Sequence, residues 1–504
     1  MFPHLIDRVR DYPRERRGTR PAGGAATRGI RALLALAAIT VFPGCLVGPD
    51  FRAPGAHTPE GWLGTGDQGG QTSVMRPTPA QIAQWWRTFK DPKLDSLIDR
   101  AVESNLDLRV ATSRVRQARA ARGIEVAGLL PSVNVSGSYD RSRSRAGAGS
   151  DLYRAGFDAG WELDVFGGVR RSVEAAEAQI DVVVEDRRDV LVTLTSEVAT
   201  NYAELRGTQA RIEIAKQNLA TQRRSLALTR RRLEGGFVTG LDVANAEAQV
   251  ASTESTIPTF EASARQSIYA IAVLLGLEPG ALVEELNVVS PVPVTPPEVP
   301  VGLPSDLLRR RPDIRRAEAE AHVATARIGV ATADLFPRFS LSGAFSLSAS
   351  QLSGLGNWAN RSWSVGPTVT WPIFEGGRIR ANIEIQNAAR EQTLSAYAGT
   401  ILRALQEVES ALIVYAKEQQ SRAATVRAAA ANRRAVDLAE RLYDQGKTDF
   451  LNVLNAQRSL FQSEDALVRS DVELARQLIA TYKALGGGWE WEIPPSGATT
   501  RPTP

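Results

Sequence analysis

The side chain best placed for covalent chemistry is Cys45, the only cysteine of the chain, standing directly after Gly44 at the close of the apolar run ALLALAAITVF, residues 32–42. Free cysteine is ordinarily a small core hydrophobe, and its reactivity belongs to the thiolate. Behind a small residue at the end of such a run, it resembles the cysteine of a bacterial lipobox, which takes a diacylglycerol and is N-acylated after cleavage. Cys45 is therefore expected to carry a lipid anchor and to begin the mature chain, with residues 1–44 as its signal peptide. The run is too short to cross a bilayer as a helix. Leu46, rather than an acidic residue, follows it, which fits release to an outer membrane. With one thiol there is no disulfide framework.

No other set of residues suggests a reaction. The histidines His4, His57 and His322 are scattered, and no Cys/His spacing suggests a metal site. Catalytic nucleophile motifs and a phosphate loop are missing. No cofactor is expected beyond the lipid on Cys45, and no enzymatic activity. The basic pI of 9.3 is misleading. Residues 1–44 hold eight arginines against three acids, a balance of +5, so the chain's formal +4 becomes −1 for residues 45–504. Once the leader is removed, a nucleic-acid surface has no compositional support.

What remains is organised by a repeat. LLPSVNVSGSYD (129–140) returns as LFPRFSLSGAFS (335–346), and Asp107-Leu108-Arg109 returns as Asp313-Ile314-Arg315, both at an offset of 206. GFVTGLDVANAEAQ (236–249) returns as GKTDFLNVLNAQRS (446–459) at an offset of 210. The proline-rich stretch from residue 288 to 305 reads as an extended linker between the copies. The expected divisions are a signal peptide (1–44), an N-terminal segment (45–94), a first repeat (95–287), the linker (288–305), a second repeat (306–488) and a tail (489–504).

Each repeat carries two stretches of strict alternation, expected as strands at about 132–140 and 156–166, then 338–348 and 362–372. Val133, Val135 and Tyr139 alternate with Ser132, Asn134, Ser136 and Ser138, and the other three stretches behave alike. Period two with one apolar face means half-buried strands of a length that suits a tilted membrane crossing. The small polar residues suit a water-filled lumen, and Trp161, Trp363 and Trp371 sit near strand ends, where an aromatic girdle would lie. Four strands cannot close a barrel, and open edges are not viable in hydrocarbon. The barrel must be shared between chains: two would supply eight strands and three would supply twelve.

The second element is a long helix, expected at about 170–234 and again at about 376–445. Val184, Leu191, Val198, Leu205, Ile212, Leu219, Leu226 and Leu233 fall seven residues apart. Leu394, Ile401, Val408, Tyr415, Val436 and Tyr443 keep that register in the second copy. A sustained heptad imposes left-handed coiling, and roughly 50–65 residues make a rod of about 75–100 Å. Gly235-Gly236 and Gly446 end the rods as C-terminal caps, and shorter helices return through Leu241–Leu275 and Leu451–Leu485. Taken together, the residues describe a mixed α/β membrane protein of two repeats, each a β-hairpin plus long coiled helices. A lipid-anchored coiled-coil surface scaffold would also explain the heptads and the lipid, but not the hairpins repeated at matching places.

Several stretches together resemble a known family: CLVGPDFRAP (45–54), QWWRTFKDPKLDSLIDRAVESNLDLRVATSRVRQARA (84–120), DLLRRRPDIRRAEAEAHVATARIGVATADLFP (306–337) and LGGGW (485–489). They are similar to the outer-membrane factors of tripartite efflux pumps, specifically the lipid-anchored OprM/NodT-type branch of the TolC-like proteins. The resemblance implies a homotrimer, with a 12-stranded β-barrel in the outer membrane of a Gram-negative bacterium joined to a 12-helix periplasmic α-barrel. It also implies a periplasmic adaptor and an inner-membrane RND-type transporter as partners, with a passive, multidrug-conducting duct whose energy enters at the other membrane. Ducts for metal, aromatic-acid or type I protein export share this pattern. By the same resemblance Leu451, Asn455 and Arg458 match the positions that narrow the periplasmic tip, with Asn455 replacing an acidic residue. The resemblance makes Gly236, Gly240, Leu241, Gly446 and Phe450 the adaptor-docking tips.

Overall fold

The computed structural model describes residues 45–55, 58–63, 79–143, 147, 149–296, 299, 302 and 304–490. The signal-peptide reading of residues 1–44 and most of the tail lie outside them. Residues 1–45 and 46–504 are separate units, and of the first only Cys45 is described, with its side chain exposed.

Apart from short turns of helix, the second unit contains seven helices and four strands among the described residues. They are α1 (Pro92–Ser104), α2 (Leu106–Ala127), β1 (Ser132–Arg143), β2 (Gly149–Leu163), α3 (Gly168–Glu234), α4 (Gly240–Leu274), α5 (Pro312–Ala333), β3 (Arg338–Ala349), β4 (Arg361–Thr370), α6 (Arg378–Asp444) and α7 (Phe450–Ala484). The two halves match in length: α2 and α5 have 22 residues each, β1 and β3 have 12, α3 and α6 have 67, and α4 and α7 have 35. At 1.5 Å per residue the two longest helices are each about 100 Å long.

Local chemistry starts the chain well. Asp91 caps α1, accepting from the amides of Lys93 (2.9 Å) and Leu94 (3.4 Å), with Pro92 at the first helical position. Asn105 then ends α1 and caps α2 through the amide of Leu108 at 2.9 Å. On α1, Leu94, Leu97, Ile98 and Ala101 form one buried stripe.

That stripe enters the main core, where Trp85, Trp86 and Phe89 meet Val198, Tyr202 and Leu205 of α3, Ile268 and Ile271 of α4, and Leu478 and Tyr482 of α7. Trp85 stacks on Tyr482 at 5.5 Å. The heptad residues supply the inner face of the rods: Leu191, Val198, Leu205, Ile212 and Leu219 are buried on α3, as are Ile401, Val408, Tyr415, Val436 and Tyr443 on α6. The first part of the linker, residues 288–296, forms no helix or strand and lies against these rods, with Arg206 donating to the Val288 carbonyl at 2.6 Å and Tyr415 to that of Pro296 at 2.5 Å. Pro258 sits inside α4 with its ring exposed, so the amide it lacks leaves a carbonyl near water rather than a broken helix.

The strands form one antiparallel sheet in the order β1-β2-β3-β4, so the central β2–β3 pairing joins the two halves of the chain. β1 and β4 are its edges. The first hairpin is longer than expected: β1 runs on to Arg143 and β2 begins at Gly149, because the ladder continues through Tyr139↔Tyr153 and Arg141↔Asp151.

Candidate functional site

Register sorts the sheet into two unlike faces. One face stacks Val133, Ala159, Gly343 and Val365 in a row across all four strands, followed by Val135, Phe157, Phe345 and Trp363. The opposite face aligns Ser136, Gly156, Ser346 and Ser362, and next to it Asn134, Asp158, Ala344 and Ser364. Val133, Val135, Phe157, Trp363 and Val365 are all exposed, Val135 at 85%, so these side chains are left uncovered by the described residues. A sheet with one hydrocarbon-like face, one polar face and two open edges is stable only where lipid covers the first and other strands cover the edges.

The three tryptophans predicted as a girdle divide between its ends. Trp161 donates to the Leu129 carbonyl (3.0 Å) and Trp371 to that of Leu335 (3.1 Å), so both mark the end nearest the helices by the same bond. Trp363, exposed, lies toward the hairpin end beside Phe345. Trp358, in the β3–β4 connection and also exposed, joins it there; sequence alternation could not find a residue that lies outside the strands.

At the far end of the rods the two turns are built alike. Gly236 (φ 75°) lets the Phe237 amide donate to the Arg232 carbonyl, and Gly446 (φ 70°) lets that of Lys447 donate to Leu442, each at 2.9 Å. A side chain at either glycine would strain the left-handed turn. Thr239 and Asp242 then open α4 with a capping box. Gly240 and Leu241 are exposed, as is Phe237, at 82%.

Phe450 is different. It is buried against Tyr443, ring centres 5.6 Å apart, with Val453, Leu454 and Ala246 around it. Its side chain supports the tip from within, and this corrects its expected place on the docking surface. Arg232 lies 4.0 Å over the Tyr443 ring and donates to the Tyr443 carbonyl at 3.1 Å, tying the end of α3 to that of α6.

Leu451, Asn455 and Arg458 share one exposed face of α7, opposite the buried Val453, Leu454 and Gln457. Arg458 donates to the Gln249 side chain of α4 at 3.2 Å. Asn455 brings no charge, so the three residues present an apolar group, an amide and a cation in sequence along the helix.

A third cluster was invisible in the sequence. Arg171 of α3 is buried and holds the segment after Cys45: it donates to the carbonyls of Val47 (3.1 Å) and Gly48 (3.3 Å), to Asp50 (2.8 Å) and to Glu174 (2.7 Å). Gly48 has φ 88°, and a Cβ there would stand 2.4 Å from the Gly329 Cα, so only glycine fits. Phe51 stacks on His322 at 4.4 Å, and His322 pairs with Glu174 at 3.1 Å.

Below this strap, burial raises the carboxyl pKa values of Glu185 and Asp189. Glu185 keeps Arg188 (2.5 Å) and Arg315 (2.8 Å) as partners. Those two arginines flank the Trp489 ring at 4.4 and 5.5 Å, fixing the end of the described chain. Among the described residues no cluster of His, Cys, Asp and Glu could hold a metal, and no helix is long and apolar enough to cross a membrane.

An amphipathic sheet continued by paired helical rods defines an outer-membrane channel, and the solved channel OprN has this fold: TM-score 0.82, 37% identity, covering 88% of this chain and all of that one. The family model for outer membrane efflux proteins matches residues 97–277 and 303–487, and the chain belongs to that family. It is a transport duct, not an enzyme. Nodulation protein T of Rhizobium leguminosarum bv. trifolii is 32% identical over 88% of this chain and 95% of its own length. The toluene efflux pump outer membrane protein TtgI of Pseudomonas putida is 33% identical, over 90% and 98%.

Proposed function

We propose that three copies of this chain pair β1 of one with β4 of the next, closing a 12-stranded barrel in the outer membrane of a Gram-negative cell above a 12-helix periplasmic tube. This is the exit duct of a tripartite, proton-driven efflux system that passes drugs, solvents or similar small toxic compounds. The observation that carries it is the parity of the sheet: between its two rims one face is apolar, with Val133, Val135, Phe157, Trp363 and Val365 exposed, the other is mainly polar, and both edges are open. In this arrangement the lipid on Cys45 is a second tether beside the barrel. Phe237, Gly236, Gly240, Leu241 and Gly446, at the far turns, meet the periplasmic adaptor, which links the duct to an inner-membrane RND-type transporter.

At the closed tip Leu451 forms the apolar constriction, Asn455 lines it without selecting for charge, and Arg458 braces α7 on α4. Planar-bilayer recording tests this assignment. Leu451→Ala is expected to raise single-channel conductance roughly twofold or more, since a hydrophobic ring of three leucines is the barrier removed. A conductance equal to that of the unmodified protein would remove Leu451 from the constriction.

A further inference from the structure

We propose that the hairpin-end rim of the sheet is a binding site for the phosphate groups of a phosphorylated glycolipid, formed by Arg141, Arg143 and Arg361 on the membrane-facing side of the strands. This rests on the outer-membrane duct reading, which sets the hairpin end in the outer leaflet and the helices in the periplasm.

The cross-strand register carries the inference. From the helix end up to Tyr139 on β1, Tyr153 on β2, Ala349 on β3 and Trp363 on β4, the membrane-facing positions hold no charged residue. Four charged residues occupy that face, Arg141, Arg143, Asp151 and Arg361, and all lie at the hairpin end. Three of the four are arginines. The other rim of the same face ends in Leu163, Phe339 and Val369, beside Trp161, with no cation. A leaflet with neutral headgroups gives no reason to gather every outward cation on one rim; a leaflet bearing phosphates does.

The chemistry fits phosphate in particular. Guanidinium binds phosphate oxygens through two parallel N–H donors and holds its charge at any physiological pH. Arg361 lies over the Trp358 ring at 4.9 Å and donates to the Trp358 carbonyl at 2.8 Å, which sets its plane beside an interfacial aromatic. Asp151 is held by the Tyr139 hydroxyl at 2.8 Å and faces Arg141 at 3.7 Å. Arg141 and Arg143 belong to edge strand β1, and Arg361 to edge strand β4. When β4 of one copy pairs with β1 of the next, arginines of two chains flank one seam, so each closed barrel presents three such sites.

The full-length channel, purified in neutral detergent, is titrated with phosphorylated lipid A and with the same lipid after phosphatase treatment. The unmodified protein is expected to prefer the phosphorylated form. The triple variant Arg141→Gln/Arg143→Gln/Arg361→Gln is expected to lose roughly a hundredfold in affinity for that form, and with it the preference. Arg154→Gln removes one arginine at the same end of the sheet but on the polar face, opposite Ser138 and Ser348, and is expected to bind as the unmodified protein does. Equal binding of both lipids, or an equal loss in Arg154→Gln, would overturn the proposal. Oligomeric state is read in the same samples. An unmodified protein that is not trimeric counts against the duct reading, whereas trimers without phosphate preference count against this site alone.

Discussion

Val135→Arg is expected to abolish assembly in the outer membrane, while Ser136→Arg, one residue along the same strand, leaves assembly intact and reduces conductance. The two positions differ only in parity. Val135 points with Phe157, Phe345 and Trp363 to the apolar side, and Ser136 with Gly156 and Ser346 to the polar side. Arginine at the lipid midplane of a barrel costs about 2–4 kcal/mol per chain. In a barrel of three chains the cost is incurred three times, more than a marginally stable fold tolerates. At Ser136 the guanidinium stays in water and narrows the pore. The detergent-resistant trimer recovered from outer membranes is the readout, and equal yields of the two variants would show that the faces are not sorted as described.

The second large effect is expected at Arg171. Arg171→Met keeps much of the side-chain volume but withdraws the donors that hold the carbonyls of Val47 and Gly48 and the Asp50 carboxylate, and leaves Glu174 only its pairing with His322. Breaking a buried charged network by removing one partner costs roughly 3–5 kcal/mol. The strap from Leu46 to Phe51 should detach, and limited trypsin digestion should then cut after the exposed Arg52 much faster than in the unmodified protein. Arg171→Lys retains the charge without the fork and should fall between the two. Unchanged protection in Arg171→Met would mean that Phe51 on His322 and Gly48 against Gly329 hold the strap without it.

Much of this architecture was readable from local rules. Alternation along a strand reports its two faces directly, and a seven-residue series reports the inner side of a rod, so Val135, Ser136, Val198 and Tyr415 could be placed from spacing alone. Gly236 and Gly446 announced the turns because a left-handed cap has few other occupants.

The misses share a cause, namely partners distant in sequence. Arg171 looks like any arginine at the start of a helix, since the carbonyls it binds lie more than 120 residues earlier. Phe450 reads as part of the docking tip because the resemblance takes in the whole turn from Gly446 to Leu451. Its inward direction follows from Tyr443 across the turn and from the phase of Val453, Leu454 and Gln457. The extra length of the first hairpin was hidden by Arg141, Arg143 and Asp151, which read as loop until they are seen paired across the ladder.

The central claim is that the four strands of one chain form part of a barrel that only three chains can close. The mass of the purified assembly in detergent, measured on the sample that is then recorded in planar bilayers, tests it most directly. Three chains per particle, with an ion-conducting pore, is the predicted result. A stable particle of one or two chains, or a trimer that conducts nothing even when Leu451 is replaced by alanine, would contradict it.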